Sequence, residues 1–129
     1  MAIVTNYAQL QAACEAGGLV QVANNITLTN YVRIPPTSTV QLESINGAFT
    51  LYAPSSRHFI VRGAGTQGSG GSLTLSNIIL DGNNTSGGIS MGAAGDPAYL
   101  SGGTLILNDG AIVQNCRATF FKALAAQSA

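Results

Sequence analysis

The stretches SLTLSNIILDGNN (72–84) and TLILNDGAIVQNC (104–116) align residue for residue when Gly110 is looped out. The alignment sets Leu73 with Leu105, Leu75 with Leu107 and Ile79 with Ile112, and brings Asn83 near Asn115 or Cys116. A third copy of the opening phrase, TVQLES (39–44), begins 33 residues before SLTLSN (72–77), which begins 32 before TLILND (104–109). A regular period of this length means that one unit cannot bury its apolar side alone and must stack on the next. Short aliphatic runs broken at Asn-Asp-Gly or Asp-Gly-Asn predict coils of a parallel β-solenoid. Leu73, Leu75, Ile79, Leu105, Leu107 and Ile112 are expected to point inward, with turn asparagines stacked in a ladder between coils.

Upstream of this repeat the texture is similar. LVQV (19–22), ITLT (26–29), YVRI (31–34), FTLY (49–52) and HFIVR (58–62) read as strands separated by Pro35-Pro36, Pro54 and glycine-rich pieces. Before them one helix is predicted. Asn6 or Thr5 can accept from its first-turn amides, Leu10, Ala13 and Cys14 fall on one face, and Gly17-Gly18 end it. The chain therefore divides into a capping helix (1–18), coils (19–116) and a non-repeat tail (117–129). That tail, RATFFKALAAQSA, reads as a carboxy-terminal helix with Phe120, Phe121 and Leu124 on one stripe. Thirteen residues are marginal alone, so it is expected to dock on a neighbouring chain, giving a homo-oligomer through residues 117–129.

Composition narrows the function classes. The 129 residues form one domain and are 46% hydrophobic, enough for a core, but only 8% charged, with no formal net charge. Duplex DNA and anionic membranes are poor partners for such a surface. No apolar run approaches the ~18 residues of a membrane span. The start MAIVTNYAQL lacks the basic and apolar regions of a signal peptide, so the expected location is the cytoplasm. Cys14 and Cys116 fit no metal spacing and read as buried free thiols. The dispersed acids Glu15, Glu43, Asp81, Asp96 and Asp109 form no ligand cluster, so neither metal nor cofactor is expected.

The stretch NYAQLQAACEAGGLVQVANNITLTNYVRIP (6–35) resembles the amino-terminal cap and first coil of right-handed parallel β-helix proteins. With ITLT (26–29), RHF (57–59), GSLTLSNIILDGN (71–83) and GGTLILNDGAIVQN (102–115), the chain is similar to bacterial adhesin-like and polymorphic outer-membrane surface proteins over residues 3–115. The resemblance implies an all-β, right-handed parallel β-helix. It further implies a structural or adhesive, non-catalytic role, as a short or truncated relative of proteins that are secreted or held at the cell surface.

Two stretches imitate catalytic motifs. GAGTQG (63–68) has the spacing of a dinucleotide loop but leads into a strand rather than a helix, which removes the helix amino terminus that would hold a pyrophosphate. GISMG (88–92) has the spacing of a nucleophile elbow at Ser90 but sits among Gly and Pro. Asp81 reads as a turn residue. His58, the only histidine, belongs to the coil pattern, with Phe59 inward and the imidazole facing solvent or a loop. The competing reading makes His58 an acid–base group beside Arg57 and Arg62, which would hold phosphate oxygens. Glu43 or Asp81, or Lys122 from a neighbouring chain, would complete a metal-independent phosphodiesterase of ribonuclease type, with RNA as ligand. A third reading is a carbohydrate-binding or carbohydrate-cleaving fragment.

Overall fold

The computed structural model describes residues 2–63, 70–91 and 103–117. Among these, the chain forms twelve short strands and one helix. The strands are β1 (Ala2–Val4), β2 (Gly18–Val22), β3 (Ile26–Thr27), β4 (Val32–Ile34), β5 (Thr39–Ser44), β6 (Phe49–Tyr52), β7 (Phe59–Val61), β8 (Ser72–Ser76), β9 (Ile78–Asp81), β10 (Ile89–Met91), β11 (Thr104–Leu107) and β12 (Ala111–Gln114), with helix α1 (Tyr7–Ala16) between β1 and β2. They build three parallel sheets, ordered β1-β2-β5-β8-β11, β3-β6-β9-β12 and β4-β7-β10. From β2 to β9 each strand pairs with the strand three places further along.

The register stacks like on like. In the first sheet Val20, Leu42, Leu75 and Leu107 are successive partners, as are Val40, Leu73 and Leu105. In the second sheet Ile26, Leu51, Leu80 and Val113 align. In the third, Phe59 lies between Val32 and Ile89, and Val61 between Ile34 and Met91. Apart from Leu107 and Val113 on the last strands, these side chains are buried in one cluster with Leu10, Ala13 and Cys14 of α1. Each large aliphatic side chain so buried stabilises the fold by roughly 1.5–3 kcal/mol.

The pairings Leu73–Leu105, Leu75–Leu107 and Ile79–Ile112 are those of the sequence alignment, but the inward set is not. Ile78 and Leu80 are buried, whereas Ile79 is half-buried and Ile112 is 45% exposed. Side chains alternate across a strand, and in IILD the inward phase falls on the first and third residues. Leu107 has the inward phase yet is 38% exposed, because β11 is the last strand of its sheet among the described residues.

At the amino-terminal end the expected capping helix is preceded by a strand. Ala2–Val4 pair with Val20–Val22, so residues 1–18 are not all helix. Asn6 rather than Thr5 caps α1, accepting from Gln9 N–H at 2.9 Å. Gln9 Oε1 reaches back to the N–H of Thr5 at 2.8 Å. Gly17 ends the helix at φ +83°. The Gln11 amide then lies along the open side of β4, accepting from Arg33 N–H at 2.9 Å and donating to Arg33 O at 3.1 Å. One side chain thereby satisfies the backbone donor and acceptor that an edge strand leaves unpaired.

The asparagines Asn46, Asn77, Asn83, Asn84 and Asn115 occupy turns at positive φ, a conformation this side chain tolerates better than most. The expected amide ladder reduces to single links, such as Asn77 Nδ2 donating to Gly47 O at 2.9 Å. The carboxy-terminal helix, the docking stripe and Lys122 lie outside the described residues, as do residues 64–68 of GAGTQG and Asp96. Among the described residues no helix is long and apolar enough to cross a membrane.

Candidate functional site

The corner between the second and third sheets is built from residues 53–58, between β6 and β7, and residues 82–88, between β9 and β10. His58 sits inside it. Its expected solvent-facing position is incorrect: the residue is 0% exposed. Where the chain bends from one sheet to the next, strand alternation lapses, and His58 and Phe59 both face the core. The backbone of His58 continues the ladder, accepting from Val32 N–H and donating to Gly88 O, both at 2.8 Å.

The imidazole is held by backbone on both nitrogens. Nδ1 accepts from Gly88 N–H at 3.1 Å. Nε2 lies 2.9 Å from Leu51 O and 3.2 Å from Asp81 O. This pattern assigns the neutral tautomer with its proton on Nε2. Burial pushes the imidazole below its ordinary value of 6.5, against the opposing pull of the Leu51 and Asp81 carbonyls. Gly87, at φ +93°, packs so close that a Cβ there would lie 2.8 Å from His58 Cε1 and 3.1 Å from Cys116 Sγ.

The other residues of the acid–base set do not converge on the imidazole. Arg57 Nε donates to Ser90 Oγ at 2.8 Å, on the side of the third sheet opposite the core. Arg62 follows the far end of β7, where its N–H donates to Ile34 O and its carbonyl accepts from Gly71. Glu43 accepts from Gln21 on the first sheet. The Asp81 carboxylate turns outward, accepting from Asn83 N–H at 2.7 Å and from the Gln114 and Asn115 amides. Its pKa is lowered chiefly by the Asn83 N–H. This is the turn role expected of Asp81. Ser90 lies in the middle of β10 (Ile89–Met91), paired with Ile60, and not on the sharp turn that a nucleophile elbow needs.

Both cysteines are free. Burial pushes the Cys14 thiol up to about 12, with Glu15 adding to it. Cys116 is half-buried rather than buried, and its pKa is raised by desolvation and then by Asp81. Neither environment makes a thiolate. Among the described residues no group of three His, Cys, Asp or Glu side chains is placed to hold a metal ion.

Outside the same corner lies an open groove of about 640 Å³. Thr27, Tyr52 and Ser55 line one side, and Asn83, Thr85 and Ser86 the other. Its walls are tied together by hydrogen bonds between the two turns. Ser86 Oγ donates to Pro54 O, and Gly87 N–H donates to Ser56 O at 2.8 Å. No motif marked these residues, because they come from two strand ends and two turns spread along the chain. The signals available were the tyrosine closing FTLY and the amide- and hydroxyl-rich run DGNNTS (81–86). No family model, curated protein or solved structure matches the chain.

Proposed function

We propose that the chain is a structural or adhesive module without catalytic activity, and that its three sheets are the faces of a right-handed parallel β-helix. The stride of three in the strand pairing supports the helix. Its hand follows from the strong preference of parallel crossovers for the right-handed path. In this reading the coils present side chains on their outer faces, and the tail at 117–129 joins copies into a homo-oligomer at the carboxy-terminal end.

The observation that carries the non-catalytic reading is the state of His58. An acid–base histidine needs a nitrogen within reach of a substrate proton. Both nitrogens of His58 are held by backbone groups inside the core. The imidazole acts as a bolt joining β6, the end of β9 and the turn before β10.

The deciding experiment compares His58→Ala with wild type in a thermal melt and in turnover assays on phosphodiester, ester and polysaccharide substrates. Loss of the bolt leaves Gly88 N–H and a cavity behind, which costs about 3 kcal/mol. The melting temperature should fall by about 10 °C, at ~4 °C per kcal/mol, where the ranges for smaller and larger domains meet. Wild type should turn over none of the substrates. A variant that melts like wild type but loses a measurable turnover would reverse the reading.

A further inference from the structure

We infer that the groove between Tyr52 and Thr85 binds a neutral glycan. The inference rests on the adhesive reading and names its ligand class. Among the described residues no Asp, Glu, Lys, Arg or His lines the groove. An anion or cation therefore finds no counter-charge. Asp81 is the register partner of Tyr52, but its carboxylate is engaged by Asn83, Gln114 and Asn115.

What the groove offers is one aromatic ring, 40% exposed, beside hydroxyls and an amide. Thr27, Ser55 and Asn83 make no side-chain hydrogen bond within the described chain, so their polar groups are available to a ligand. An amphipathic ring that gives area at low entropic cost, next to adaptable hydroxyl and amide groups, suits the apolar face and hydroxyl rim of a pyranose. The volume lies within the ~300–1,000 Å³ of small-molecule sites.

A polypeptide fits less well. Extended peptides are captured by an unpaired strand edge, and here the backbone beside the groove is already engaged. Leu28 N–H donates to Tyr52 O, Ala53 N–H to Asp81 O, and Gly87 N–H to Ser56 O. Recognition is left to side chains. The ties between Ser86 and Pro54 and around His58 hold the two walls at a fixed spacing, so little ordering cost falls on binding.

The test is a nitrogen-15 chemical-shift titration with neutral glucose, mannose and N-acetylglucosamine hexasaccharides, with a pool of uncharged peptides in parallel. At least one hexasaccharide should shift the amides of Thr27, Tyr52, Asn83 and Thr85. Tyr52→Ala should weaken that binding about tenfold with the melting temperature kept, and Tyr52→Phe should retain it. No shift with any hexasaccharide, shifts insensitive to Tyr52→Ala, or shifts with the peptides alone would each overturn the inference. Hexasaccharide cleavage in the same tube would remove the non-catalytic reading while leaving the ligand class standing.

Discussion

Gly88 donates its backbone N–H to Nδ1 of His58 at 3.1 Å across 30 residues of sequence, and that bond exists only while the imidazole is neutral. Protonating Nδ1 would set two donors against each other inside the core. The folded pKa of His58 is lowered from 6.5, so the unfolded chain binds the proton first. Stability is fully present above about pH 6.5 and declines as pH falls below it, until the lowered folded value is reached. The slope in that window is up to ~1.4 kcal/mol per pH unit. Urea titrations between pH 7.5 and 5 should show it, and His58→Gln should flatten it. An equal slope in the variant would assign the effect to another group.

Gly87 and Gly18 separate a clash from a backbone preference. Both have positive φ, +93° and +97°, but a Cβ on Gly18 meets nothing within 4 Å, whereas on Gly87 it meets Gly82 Cα at 2.9 Å as well as His58. Gly18→Ala should cost about 1 kcal/mol, the conformational part alone. Gly87→Ala should cost at least 2 kcal/mol more, at about the level of an overpacked core. Equal losses in chemical denaturation would mean that the corner yields without strain.

Leu75 and Ile112 test which face is the core. Leu75→Ala removes a side chain that is fully buried and should cost about 2–5 kcal/mol. Ile112→Ser, at an outward position, should stay within about 0.5 kcal/mol of wild type. A large loss from Ile112→Ser would mean that a partner covers the outer face of β12.

These two positions also mark how far the sequence could be read. The spacing of TVQLES, SLTLSN and TLILND sufficed to pair Leu73 with Leu105, because stacked strands place equivalent residues side by side. The phase of IILD could not be read, since three adjacent aliphatics carry no alternation. His58 was misjudged because a corner between sheets has its interior on both sides of the chain, which no period of two anticipates. Ala2–Val4 was too short to signal a strand, and Ile89–Met91 was hidden by the glycines flanking it in sequence. The helix was legible because its cap, apolar face and Gly17-Gly18 stop agree. The groove was not legible, since Tyr52 and Thr85 come to line one groove only once β6 and β9 pair.

Gln11 provides the last test, at the amino-terminal end of the third sheet. Its amide acts as a one-residue strand against Arg33, with an acceptor 2.9 Å from the N–H and a donor 3.1 Å from the carbonyl. The same Nε2 also lies 3.2 Å from Glu15 Oε2, which pairs with the Arg33 guanidinium at 2.6 Å. That ion pair is more than two-fifths exposed on both sides and contributes little, so the backbone contacts of Gln11 are the part that matters. Gln11→Glu keeps the acceptor, loses the donor and sets a second carboxylate beside Glu15. Gln11→Ala loses both contacts and bares the edge of β4. Amide exchange at Arg33 should therefore accelerate strongly in Gln11→Ala and only modestly in Gln11→Glu. Global stability should fall by about 1 kcal/mol for each lost hydrogen bond. Because an uncovered parallel edge is a template for another chain, Gln11→Ala should also raise the light scattering of concentrated solutions at neutral pH. Unchanged exchange at Arg33 in Gln11→Ala would show that packing of Leu10 and Cys14 protects the edge, and not the amide.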